Sequence, residues 1–171
     1  MDRIIPTDAP IRKNIRWDGY DYTRAAAYFV TICTHEKKCL FWFIQDNVMT
    51  LNTTGTIVQQ CIATTTAHFS NIQIPRSIVM PNHVHMIIRI VDERMHRDDA
   101  PTPKPSALGT IVGSFKSAAT KRLHESGFDG AVWQRGYHDH VIRDDREYAY
   151  IAGYITNNPY FWAKDSLWAS P

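Results

Sequence analysis

The sequence predicts an α+β chain: an antiparallel sheet with helices packed on it. Two observations predict this: short runs of β-branched and aromatic residues closed by turn formers, and longer stretches whose apolar residues recur every three or four positions. The two kinds of segment follow one another with no internal repeat. At 171 residues, 44% hydrophobic and 21% charged, the chain can bury one sizeable core, so a single domain over 1–171 is expected.

"AAAYFVTICT" (25–34) reads as the first strand, and "LFWFI" and "NVMTL" on either side of Asp46 and Asn47 read as a hairpin. From Thr54, Ile57, Val58, Cys61, Ile62, Thr65 and Phe69 fall at spacings of three and four, the stripe of an amphipathic helix. "SIVM", a turn at Pro81-Asn82 and "HVHMIIRIV" make a further strand pair. Residues 92–105 mix charge with three prolines and are expected to form a mobile loop, because too little chain follows for a second core. Ser106 is placed to cap a helix with Leu108, Ile111, Val112, Phe115 and Leu123 facing inward, closed by Gly127. "GYHDHVIR" alternates as a strand. "DDREYAYIAGYITNN" is a helix with acids at its positive end, and Pro159 is expected to stop it. The layout is loosely ferredoxin-like.

Composition restricts function less. No apolar run approaches the roughly 20 residues that span a bilayer, and "MDRIIPTDAPIRKNIRW" lacks the apolar core of a signal peptide, so a cytoplasmic protein without a membrane partner is expected. Cys33, Cys39 and Cys61 form no C-x-x-C pair and suggest neither a disulfide framework nor a thiolate zinc site. A net charge of +2 announces no nucleic-acid partner by itself.

The chemistry is carried by "IVMPNHVHMIIRI" (78–90). On a strand, His83 and His85 share one face while Val84, Met86, Ile88 and Ile90 share the other, so the apolar set faces the core. Imidazoles at i and i+2, separated by twice the ~3.3 Å rise, are able to converge on one metal ion. His138 and His140 repeat the spacing, but there the residue between is Asp139, whose charge would need a partner if it faced the core. Spacing therefore prefers the first pair and leaves His140 as a supporting group or phosphate contact. On the last helix Tyr150, Tyr154 and Asn158 lie four residues apart and project from nearly one face.

"MPNHVHMII" resembles the His-hydrophobic-His metal motif of the HUH endonuclease superfamily, and "GYITNNP" resembles the tyrosine helix of its small single-tyrosine transposases. More specifically, "YDYTRAAAYFVTICTHEKKCLF", "VMPNHVHMII", "GTIVGSFKSAAT", "VWQRGYHDHVIRD" and "YIAGYITNNP" stand in the order seen in REP-associated tyrosine transposases, from about Tyr20 to Pro159. The resemblance implies an HUH endonuclease fold, metal ligands at His83 and His85, and a nucleophile at Tyr154. A glutamine that completes the metal shell in related insertion-sequence enzymes falls on Asn158, one methylene shorter, which leaves the third ligand open.

The resemblance implies cutting and rejoining of single-stranded DNA at a hairpin, a REP-like palindrome, through a 5′-phosphotyrosine. Mg²⁺ or Mn²⁺ is the expected cofactor. Lys116, Lys121, Arg122, Arg135 and Arg143 are the candidate phosphate contacts, and Trp133 or the aromatics of "NPYFW" could stack on bases. Insertion-sequence relatives are dimers while the REP-associated branch can act as monomers, so a homodimer stays open. Two other readings compete: a noncatalytic nucleic-acid-binding module, and a phosphodiesterase using metal-bound water, for which Tyr154 would be dispensable.

Overall fold

The first strand of the sequence becomes one of the two inner strands of the sheet, because its alternating apolar residues have partners on both sides. In the computed structural model, which describes residues 25–45, 48–91 and 107–168, β1 (Ala26–Cys33) lies between β5 (His83–Ile90) and β6 (His138–Ile142). With β4 (Ile72–Met80) outside β5, the sheet has the order β4-β5-β1-β6 and every pairing is antiparallel. A hairpin, β2 (Trp42–Gln45) and β3 (Val48–Leu51), forms a second, two-stranded sheet. The helices are α1 (Thr53–His68), α2 (Leu108–Glu125) and α3 (Asp145–Asn157). The fold class is the α+β antiparallel arrangement that the sequence predicts.

Helices cover both faces of the sheet, and this positions the site. On one face, α1 and α2 pack side by side over Val84, Met86, Ile88 and Ile90 of β5, with Val58, Ile62, Ile111, Val112 and Phe115 in the same cluster. This is the core, and the α2 residues expected to face inward are all in it. On the other face, α3 lays Ile151 and Ile155 against Ile87 and Ile142, in a smaller apolar cluster. The strand β5 is therefore buried on both sides although it alternates in polarity.

Hydrogen bonds hold the hairpin and the start of α1 in place. Trp42 Nε1 donates to the Val79 carbonyl at 2.7 Å, and Asn52 caps α1 by accepting from Gly55 N at 2.9 Å while its Nδ2 donates to Leu40 O. Gly55 is required here: a Cβ would lie 2.2 Å from the Phe41 carbonyl oxygen. Gly127, at φ +91°, closes α2 as its sequence position predicts.

Two expectations are corrected. The strand pair read from Ser77 starts earlier, at Ile72, and runs through Pro75; β4 is an edge strand and its register shifts between Gln73 and Arg76, so no ladder bond is forfeited at the proline. Nor does Pro159 stop the last helix outright. The α-helix ends at Asn157 and a 3₁₀ segment continues over Asn158–Lys164, with the proline in its first turn, where its missing N–H is unneeded. The turn at Asp46-Asn47, the 92–105 loop and the Ser106 cap lie outside the described residues; Ala107, at the α2 N-cap position, makes no side-chain capping bond. Among the described residues no helix is long and apolar enough to cross a membrane.

Candidate active site

The register of β1 against β5 sets Cys33 opposite His83 and Thr31 opposite His85. Both histidines turn away from the main core, onto the face that α3 covers. They are not the half-exposed strand histidines common at such positions: His83 is 0% exposed and His85 3%. Their Nε2 atoms stand 2.9 Å apart. Each ring is fixed from behind, His83 Nδ1 by Asn82 Oδ1 at 2.9 Å and His85 Nδ1 by Thr31 Oγ1 at 2.9 Å.

Asn82 decides the tautomer of His83. Its Nδ2 donates to the carbonyls of Lys37 (3.2 Å) and Leu167 (2.8 Å), so its Oδ1 is the acceptor and His83 Nδ1 must carry the proton. The Nε2 lone pair of His83 is thereby aimed at His85. Burial, helped by the positive charge of Lys37, pushes the His83 pKa down to about 3. Burial and then the neighbouring His83 hold His85 well below its ordinary value, against the pull of Asp165. Both rings are therefore neutral near pH 7, the state in which imidazole binds metals.

From the other side, α3 brings Tyr154 over the pair. Its hydroxyl lies 3.5 Å from His85 Nε2, at the outer limit of a hydrogen bond, and donates to Asp165 Oδ2 at 3.3 Å. Phe29 supports the tyrosine ring edge-on, with centroids 6.1 Å apart. Burial, then the negative charge of Asp165, raises the Tyr154 pKa above its ordinary value. Tyr150, Tyr148 and Tyr160 do not occupy this position: Tyr150 and Tyr160 are exposed, and Tyr148 stacks under the Arg89 guanidinium.

The 3₁₀ segment after α3 closes the site. Trp162 is buried with its ring 6.0 Å from that of His83. Asn158 is buried and donates through Nδ2 to Asp165 Oδ2 at 3.1 Å, while its Oδ1 has no partner. Asp165 Oδ1 accepts from Leu167 N at 2.7 Å. Among the described residues, His83, His85 and Asp165 form the group whose donor atoms, all within 4.8 Å of one another, could hold a metal ion. Two neutral imidazoles whose Nε2 atoms converge, a carboxylate beside them and an orphaned amide oxygen suit a divalent cation.

The residues singled out from sequence thus divide. His83, His85, Tyr154 and Asn158 come together. His138 shares a row of the sheet with Thr31 and His85, but β1 stands between, roughly 10 Å across two strand spacings. His140 bonds Glu147 at 2.7 Å instead. Lys116 donates to the carbonyls of Gln134 (2.7 Å) and Gly136 (3.0 Å), Arg122 reaches Gln60 at 2.6 Å, and Trp133 packs between Phe41 and Phe115. Lys121, Arg135 and Arg143 are exposed, Lys121 lying 3.9 Å from Glu125. Sequence reasoning missed Asn82, read only as a turn residue, and Asp165, which follows the last recognisable motif.

No protein-family model matches the chain. It is 36% identical over 167 residues to an uncharacterized protein of Haemophilus influenzae, covering 92% of this chain and 93% of that one. Among solved structures it is similar to a REP-associated tyrosine transposase bound to a REP hairpin, with a TM-score of 0.57 and 19% identity over 82% of this chain and 70% of the other. The chain therefore belongs to one family with the Haemophilus influenzae protein and has the fold of a REP-associated tyrosine transposase, as the motifs of its sequence led us to expect.

Proposed function

We propose that the protein is a metal-dependent single-stranded DNA endonuclease and strand transferase that acts on hairpin DNA with Tyr154 as nucleophile. One observation carries this reading: α3 lays a tyrosine hydroxyl against the buried histidine pair. A site built for metal-bound water would not need it. The similarity to a hairpin-bound transposase supports the choice of substrate.

In the reaction, Tyr154 Oη attacks the scissile phosphorus. The Oη–P bond forms, the bond from phosphorus to the 3′-oxygen breaks, and the products are a 5′-phosphotyrosine and a free 3′-hydroxyl; reversal onto another 3′-end rejoins the strand. Because burial and Asp165 hold the phenol protonated, its proton leaves as the attack proceeds and the departing 3′-oxygen takes one up, so the exchange is neutral in protons. Asp165 and Phe29 orient the hydroxyl before that. His83 and His85, with Asn158 as a further donor, would hold a Mg²⁺ or Mn²⁺ ion, which would supply positive charge for the phosphate oxygens and the leaving 3′-oxygen. The exposed Lys121, Arg135 and Arg143 contact the DNA backbone, whereas Lys116, Arg122 and Trp133 serve the scaffold.

The test is a labelled hairpin with single-stranded flanks, incubated with Mn²⁺ or Mg²⁺. Wild-type protein should nick it, leave the matching duplex intact and remain attached to the 5′ side of the cut through denaturation. Tyr154→Phe removes only the hydroxyl, so DNA binding should survive while cleavage falls to background, a loss of at least about 10³-fold. Full cleavage by Tyr154→Phe, or an adduct mapping to Tyr150, would overturn the assignment.

A further inference from the structure

The third protein donor of the metal site was left open by the sequence, where the position one turn after Tyr154 offers only the neutral amide of Asn158. We propose that Asp165, in the turn after the 3₁₀ segment, is a direct ligand of the ion held by His83 and His85. This rests on the metal site of the proposed function and extends it to a residue outside every motif of the chain.

Three observations lead there. Asp165 completes the cluster in which one donor atom from each residue lies within 4.8 Å of the others. Its carboxylate is the oxygen donor the histidine pair lacks: oxygen-seeking ions such as Mg²⁺ and Mn²⁺ take carboxylates in preference to a purely nitrogen set. The carboxylate is also held in place as metal ligands commonly are, Oδ1 by Leu167 N at 2.7 Å and Oδ2 by Asn158 Nδ2 at 3.1 Å. Leu167 is in turn tied by its carbonyl to Asn82, the residue that sets the His83 tautomer. One polar network thus orients both an imidazole and the carboxylate toward the same point.

Mn²⁺ binding to the intact protein, followed by the loss of the free-ion spin-resonance signal, tests this without recourse to cleavage. His83→Ala/His85→Ala should abolish binding. Asp165→Asn, which keeps the shape and an acceptor for Leu167 N, should weaken binding at least about tenfold with the metal-free thermal midpoint little changed. A carboxylate outside the coordination sphere could also cost 10–100-fold, so a ligand exchange decides. Asp165→Cys should exchange preference from Mn²⁺ to Cd²⁺ and show a sulfur-to-cadmium charge-transfer band that wild-type protein, with its three native cysteines, does not; it serves equally if the asparagine variant fails to fold. Wild-type affinity in Asp165→Asn, or no new band in Asp165→Cys, overturns Asp165 as ligand while the histidine site stands. Mn²⁺ binding that survives loss of both histidines overturns the metal site itself, and Asp165 with it.

Discussion

Burying two histidines side by side has a consequence for stability that can be measured without DNA. An unfolded His83 takes up a proton at its ordinary pKa of 6.5, whereas the folded one refuses it until about pH 3. The unfolded state therefore binds more protons throughout that window, and stability is complete above pH 6.5 and is lost as pH falls toward 3. His85 shifts in the same direction. In chelator, the urea-derived unfolding free energy should fall between pH 6 and 4 by up to about 1.4 kcal/mol per pH unit for each histidine, and His83→Gln should flatten the slope. Asn82→Ala leaves His83 Nδ1 and the Lys37 and Leu167 carbonyls without their partner, and should cost about 2–3 kcal/mol in the same measurement. At this scale the sequence was legible wherever a spacing carried the information: His83 and His85 by the two-residue period of a strand, Tyr154 and Asn158 by the four-residue period of a helix. Asp165 was not, because it joins the site through an irregular turn that has no period to read. Asn82 was half legible, as a turn former, since nothing local tells that its amide faces inward.

Each element expected from the sequence is present where its residues are described, and the differences lie at the ends. Pro75 hid the first half of β4, because a proline is compatible with a strand only at an edge or bulge, and edge position is a property of the sheet. Pro159 hid the 3₁₀ continuation for the opposite reason: it is unfavourable inside an α-helix yet suited to the first turn of a new segment. The last helix shows how an element transmits to the site. Asp144 caps it by accepting from Glu147 N at 2.8 Å, and Ile155, 1% exposed, anchors it to Ile87 one residue after the tyrosine. Ile155→Ala should destabilise the protein by about 2–5 kcal/mol in urea unfolding. It should also reduce cleavage by the folded fraction, because α3 would no longer hold the hydroxyl over His85.

Across the whole molecule, the site exists only where distant parts of the chain meet. The contact between Tyr154 and His85 spans 69 residues and the bond from Asn82 to Leu167 spans 85. An unfolded chain does not assemble such a set, since closing loops of that length costs entropy with nothing to repay it. An ion held there is consequently a ligand of the folded state alone, and mass action fixes its effect: about 2.7 kcal/mol of added stability when the free ion is at a hundred times its dissociation constant. The thermal midpoint should rise with the logarithm of Mn²⁺ concentration, fall back in chelator, and stop responding in His83→Ala/His85→Ala. If the buried histidine pair holds such an ion, the folded population would follow ion supply, and with it the protein's exposure to proteolysis.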